Sequence, residues 1–241
     1  PAHRADARKV KAFIRSWGTL GKSDTIDARA LARYGAERQA SLHRWRAPDE
    51  NRLRLQRLLL ARRDLIAQRQ ACANRLQAAG AQAIAPYLEP VLARIADSIR
   101  DIDRAIAGII RETEDLERAA RALATIKGIG PTTAAAILGL MPEIGLIGRK
   151  QAAALAGLAP HPNQSGTTDR YRPTRGGRPE LRQALFMAAL VAARHNPQLR
   201  TFNQRLKDAG KRPIVAITAV MRKLIVIANA VVKDASPIKV S

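Results

Sequence analysis

Cysteine is almost missing from these 241 residues. Cys72 is the only one, which excludes an internal disulfide framework and any cysteine-rich zinc site. It falls on an apolar helical face and is expected to pack as a small hydrophobe. Aromatic residues are also scarce, at 3%, too few for the interfacial anchors of a basic membrane-surface protein. Acidic residues number only 20 against 42 lysines and arginines. Internal repeats and low-complexity tracts are absent. The longest apolar run, Ile214 to Val232, carries Arg222 and Lys223 at its centre, so it reads as a packed helix and not as a membrane span. No secretory leader opens the chain. A cytoplasmic protein with no membrane partner is expected.

Arginine is what the chain has in excess, outnumbering lysine 32 to 10 within a formal charge of +22. Such an excess repels itself unless a polyanion neutralises it, and the guanidinium fork matches phosphate oxygens bidentately. The expected partner is therefore a nucleic acid. The length allows one or two domains with a real core.

Between two apolar helical patterns lies a stretch with neither helical nor strand periodicity, Gly157 to Arg178. Ser165 stands before Gly166, and Arg170, Arg172, Arg175 and Arg178 follow. An uncharged hydroxyl in a bendable loop, surrounded by permanent positive charge, is what attack on a phosphodiester needs. The plainer alternative is a solvated turn whose serine bonds its own backbone, because no histidine base is held at fixed spacing from it. His161 and His195 are candidate bases, although each also reads as a turn residue and a helix-end residue respectively.

Other stretches carry weaker signals. A helix is expected over 6–17. A second begins near Ser23 and is expected to end at Gly35 as a left-handed cap. Asp24 and Asp27 share one face of its first turn. Two hard oxygen ligands there could join others around a divalent metal, or they could simply favour the helix dipole and its free amides. From Asp49 to about Gly80 the pattern is helical, with Leu55, Leu58, Leu59, Leu65, Ile66, Cys72 and Leu76 in a broad stripe. Pro86 and Pro90 open a second long helix. Its seam, from Leu88 through Ile95, Ile102 and Ile109 to Leu116 and Leu123, alternates steps of four and three, the heptad spacing. Two such helices predict an antiparallel hairpin, a spacer or dimerisation element. Arg54, Arg57, Arg62, Arg63 and Arg69 could track a nucleic-acid backbone, although they fit a solvated charged face better.

At Gly128-Ile129-Gly130-Pro131 one helix stops and the next starts, the pattern of a helix-hairpin-helix turn. Such a turn approaches phosphate closely through Gly128, Gly130 and the amides near Thr132; a tight connection without a ligand is the alternative. Helices are then expected over 149–158, over 179–195 with Leu181, Leu185, Met187, Ala188 and Val191 inward, over 202–209, and over 213–233. Residues 183–241 hold ten lysines or arginines and two acids.

Taken together, Lys22-Ser23-Asp24-Thr25-Ile26-Asp27-Ala28, the Gly128 hairpin, Leu155-Ala156-Gly157-Leu158-Ala159-Pro160 leading to Ser165-Gly166, Gly177 with Leu181-Arg182, and Met221-Arg222-Lys223-Leu224 resemble the DEDD transposases. This is the insertion-sequence 110 type of recombinase, which includes Piv-like DNA invertases. The resemblance covers nearly the whole chain. It implies a mainly α protein: a truncated RNase H-like (RuvC-like) remnant over 1–46, a coiled-coil hairpin over 47–125, and a helical transposase domain over 126–241.

The resemblance also implies that Asp24 and Asp27 are two of four metal-binding acids using Mg²⁺, and that Ser165 attacks DNA to form a phosphoserine link. Gly128, Gly130, Thr132, Arg170, Arg172, Arg175, Arg178 and Arg182 would contact nucleic acid. A bridge-type guide RNA and a homo-oligomer, dimeric or tetrameric, are implied as partners, with the acids of one subunit meeting the serine of another. A non-catalytic helical DNA- or RNA-binding protein is the alternative, and an acid-only nuclease a third. The other two acids of the family pattern would lie before residue 1. The 241-residue chain by itself is therefore expected to give no recombinant product in a Mg²⁺-dependent DNA cleavage assay; clean product would overturn that expectation.

Overall fold

A computed structural model describes residues 3, 5, 7–18, 21, 23–42, 49–160, 164–165, 168–169, 174 and 176–236. It divides into two compact units, Pro1–Pro48 and Asp49–Ser241. The first holds α1 (Ala7–Arg15) and α2 (Asp24–Arg38). Their small core is aromatic: Phe13 meets the edges of Trp17 at 4.4 Å and Tyr34 at 5.2 Å between ring centroids. The Arg33 guanidinium lies 4.1 Å from the Trp17 ring centre, a cation–π contact. Gly35 does not end α2 as expected. The helix runs on to Arg38 and closes in a 3₁₀ turn, Gln39–Ser41, and Gly35 keeps a negative φ. A mid-helix glycine costs about 1 kcal/mol, and the neighbouring Tyr34, anchored on Phe13, holds that turn in place.

The second unit begins with α3 (Glu50–Leu76), whose first turn is capped by Asp49 accepting from the Arg52 amide at 3.0 Å. A short turn reverses the chain into α4 (Ala85–Glu112). The two helices are antiparallel: Arg62 pairs with Asp103 at 2.6 Å, and Asn51 donates to the Thr113 hydroxyl at 3.1 Å. Ile95, Ile99, Ile106 and Ile109 of the expected seam are buried, and so is Cys72.

The seam is nevertheless not one helix. Thr113 is extended (φ −107°, ψ 105°), and α5 (Glu114–Ala124) starts afresh with Glu114, Asp115 and Glu117 in its first turn. Leu116 and Leu123 keep the period but are fully buried in another direction, because α5 packs on later helices as well as on α4. The heptad spacing was right about which residues are apolar and wrong about one straight axis.

Those later helices are α6 (Pro131–Leu140), α7 (Arg149–Leu155), α8 (Pro179–His195), α9 (Pro197–Asp208) and α10 (Pro213–Ala235). Leu55 and Leu59 of α3 share one continuous core with Ile137 of α6, Leu185 of α8 and Leu224 of α10. By length and composition α10 could cross a membrane, but Ala216, Val220, Leu224, Ile225 and Ala228 are buried within the protein, while Arg222 and Lys223 stay exposed. It is the packed helix that its central charges indicated. Helix α9 starts at Pro197, not Phe202, because Asn196 caps it, accepting from the Leu199 amide at 3.2 Å.

Met187 and Val191, expected inward, are 61% and 46% exposed. The buried face of α8 is instead Leu181, Leu185 and four alanines, Ala188, Ala189, Ala192 and Ala193. Small residues let another backbone come close. At Gly128, whose φ is +113°, a Cβ atom would lie 2.5 Å from the Ala192 side chain and 2.9 Å from its backbone. Gly128→Ala is therefore expected to destabilise the protein by at least about 2 kcal/mol in denaturant unfolding. Gly130→Ala, with open space around it, should cost less than about 1 kcal/mol.

Candidate active-site hairpin

Where the sequence showed no periodicity, the chain forms a small hairpin. Its base is an isolated bridge between Pro160 and Thr174. Further out, β1 (Gln164–Ser165) pairs antiparallel with β2 (Thr168–Asp169), with Ser165 opposite Thr168. The absence of alternation is understandable, since strands of two residues are too short to show it. Ser165 thus sits in the ladder pair whose two members are nearest in sequence.

The neck below this hairpin is the most constrained backbone in the unit. Gly157 (φ +69°) ends the approach from α7, and Gly177 (φ +66°) begins the return into α8. A Cβ at Gly177 would lie 2.1 Å from the Gly157 nitrogen; one at Gly157 would lie 2.4 Å from the Gly176 carbonyl oxygen. No L side chain fits either place. The Arg178 amide donates to the Leu155 carbonyl at 2.9 Å, closing the neck.

Two arginines expected to touch nucleic acid are spent here. Arg178 grips the Glu143 carboxylate through both terminal nitrogens at 2.7 Å and gives a further hydrogen bond to the Leu140 carbonyl at 2.9 Å. Arg182 donates to the Gly176 carbonyl at 3.1 Å and more distantly to Gly157. Both guanidiniums face inward and hold the neck. Burial by itself would raise the Glu143 pKa. The Arg178 hydrogen bonds, a backbone hydrogen bond and the Arg178 charge together outweigh it, leaving the carboxyl below its ordinary value of 4.5. Arg63 of α3 adds a tie from the hairpin helices, pairing with Glu180 in the first turn of α8 at 2.5 Å.

The remaining expected residues fall into three groups. Arg170, Arg172, Arg175 and His161 lie outside the described residues. Gly130 and Thr132 are exposed at the start of α6, whereas Gly128 is half-buried against α8 and owes its glycine to that packing. His195 is exposed at the end of its helix. Asp24 and Asp27 belong to the first unit. Asp24 is exposed and Asp27 half-buried, and the capping that could have explained them falls to Ser23, whose Oγ accepts from the Ile26 amide at 3.2 Å. In kind, two carboxylates one turn apart suit a hard divalent cation. In number they are a partial shell, since among the described residues no group of three or more acidic, histidine or cysteine side chains comes together.

Glu143 was not foreseen as part of the site. Its partner is 35 residues away, so no local pattern marks it; the one available signal is that it is the lone acid between residues 118 and 168.

A mainly helical fold with an excess of arginine fits the recombining enzymes of mobile DNA. Comparison with known proteins bears this out. A family model described as "Transposase IS116/IS110/IS902 family" matches residues 120–204, and a DEDD IS110 model described as "Transposase" matches residues 4–83. The pilin gene-inverting protein of Moraxella lacunata is 34% identical over 236 residues, 95% of this chain and 71% of that protein. Its counterpart in Moraxella bovis matches equally. A 42 kDa protein of the insertion element IS900 from Mycobacterium paratuberculosis is 32% identical over 173 residues, 67% of this chain and 43% of its own length. The chain belongs to the IS110 family of transposases, enzymes of the transposase and site-specific recombinase class. A purely non-catalytic binding role is thereby set aside.

The neck gives a test. Glu143→Gln should lower stability by about 1–2 kcal/mol at neutral pH, a range reduced for partial solvent exposure. Because the folded-state pKa is depressed, the wild-type advantage is complete above the ordinary carboxylate range and is lost as pH falls through the depressed value. Thermal midpoints of the two proteins should therefore converge on acidification. A constant gap would assign the loss to packing instead.

Proposed function

We propose that Ser165 is the nucleophile with which this chain, once further acids complete its metal shell, cuts and rejoins DNA. The observation that carries this is the placement of Ser165 in a ladder pair of a hairpin whose neck no side chain can loosen. A nucleophile must be held in attack geometry to gain from proximity, and a hairpin sprung from packed glycine backbone offers that. In the first step the serine Oγ bonds to phosphorus and loses its proton. The bond from phosphorus to the leaving deoxyribose oxygen breaks, and that oxygen leaves as a hydroxyl. In the second, a deoxyribose hydroxyl from the exchanged strand attacks the phosphoserine, restoring the diester and returning a proton to Oγ. The bond energy stays in the ester, so no hydrolysis intervenes. Arg170, Arg172 and Arg175 follow the serine in sequence and supply charge for the phosphate oxygens.

Asp24 and Asp27 would hold two coordination positions of a divalent cation, Mg²⁺ by the hardness of its ligands. Such an ion, when bound, neutralises charge on the phosphoryl oxygens. The carboxylates themselves keep that place negative and open, since Ser23 already satisfies the helix start. On this reading the acids of one protomer work with the serine of another. The α3–α4 hairpin is the coiled-coil element that joins protomers, the exposed start of α6 at Gly130 and Thr132 grips phosphate, and a structured RNA guides target choice.

With a DNA substrate bearing the cut site, supplied to any active protein that contains this chain, Ser165→Ala should abolish the covalent protein–DNA adduct seen after denaturation, leaving DNA binding within about twofold, because one neutral hydroxyl adds little to phosphate-dominated affinity. Asp24→Ala should lose adduct formation while keeping its melting temperature, the cap being intact. Persistence of the adduct in Ser165→Ala would sink the serine mechanism and favour an acid-and-water nuclease.

A further inference from the structure

Beside the base of the Ser165 hairpin lies a cleft of about 490 Å³, within the ~300–1,000 Å³ range of small-molecule sites. One wall is made by Pro160 and Thr174, the two residues whose bridge closes the hairpin. The floor is aliphatic, with Leu158, Val215, Ala219 and Val226. Arg222 and Lys223 of α10 stand exposed at the rim. Phe202 of α9 orders the cations there, with the Lys223 ammonium 4.1 Å and the Arg205 guanidinium 5.4 Å from its ring centre. Among the described residues none of these three cations is ion-paired, unlike Arg178 of the neck.

We propose that this cleft takes one unstacked nucleotide of the DNA strand on which Ser165 acts, its base and deoxyribose in the aliphatic floor and its flanking phosphates on Arg222 and Lys223. The proposal rests on the serine reading for the identity of the strand, and it names a site that reading does not use. The charge argues for a polyanion, and the floor argues for an apolar ring system beneath it. The strand is assigned as DNA because the serine reading places a DNA strand at the hairpin whose base, Pro160 and Thr174, is the cleft wall. Because Pro160 and Thr174 form both the cleft wall and the hairpin base, a strand seated here is held next to the hairpin that carries the nucleophile.

The test is fluorescence anisotropy of the full chain with a short labelled single-stranded DNA, the same sequence as RNA, and the same sequence as duplex DNA. Wild type should bind the single-stranded DNA more tightly than the RNA, as a site for the strand cut by the serine predicts. Ala219→Trp, which fills the floor, should weaken single-stranded DNA by about tenfold, the scale of losing one buried base, and leave duplex affinity nearly unchanged. The exposed double variant Arg222→Ala/Lys223→Ala does not disturb the core, and should lower the salt slope for single-stranded DNA by about 1–2. Equal or tighter binding of the RNA would overturn the proposal in favour of a guide-strand site. Unchanged single-stranded affinity in a folded Ala219→Trp protein, or an unchanged salt slope in the double variant, would overturn it outright. Ser165→Ala should bind like wild type, so failure of the serine mechanism would show as a missing adduct with this preference intact.

Discussion

Two glycines packed backbone against backbone, Gly157 and Gly177, carry the geometry of the larger unit's site. Their contact brings the end of α7 against the start of α8 at a separation that excludes any Cβ. Arg178 and Arg182 lock it from below, Arg178 through a bidentate pair with Glu143 that leaves the guanidinium with little to offer a ligand. A hairpin joined to the core by such a junction can be long enough to reach a partner and still point one way.

This arrangement divides the arginines by task. Those on the α8 side are structural, with their charge neutralised by a carboxylate or spread over carbonyls. On α9 and α10, Arg205 and Lys223 gather around one aromatic ring, and they and Arg222 are exposed. Net charge alone cannot draw this distinction. A protein with 42 basic residues uses some of them as fasteners, and only the pairing pattern reveals which.

Much of the architecture was legible beforehand, for reasons of periodicity. Helices α3, α4, α8 and α10 are long and amphipathic or apolar, so their apolar spacing announced them, and the charges inside α10 marked it as a packed helix. Asp24, Asp27 and Ser165 stood out as candidates by residue type and spacing, and their roles come from the family resemblance and belong to the proposal. Errors arose where a neighbour decides. Gly35 reads as a helix stop until Tyr34 packs on Phe13. The seam through Thr113 reads as one helix until α5 turns toward α6 and α10. Met187 and Val191 read as core until four alanines make a narrower face suffice.

Local chemistry in the chain determined a nucleic-acid partner, through its excess arginine, and the run of helices, through their periods; the class of protein came from the resemblance that its short motifs carry together. These are properties of residues within a few positions of one another, which is the range over which spacing carries information. The tertiary structure alone decided that Arg178 belongs to Glu143, that Gly128 is required by Ala192, and that the wall of a basic, apolar cleft is the base of the serine hairpin. Each of those contacts joins residues tens of positions apart, and steric exclusion and charge pairing at such separations exist only once the helices have packed.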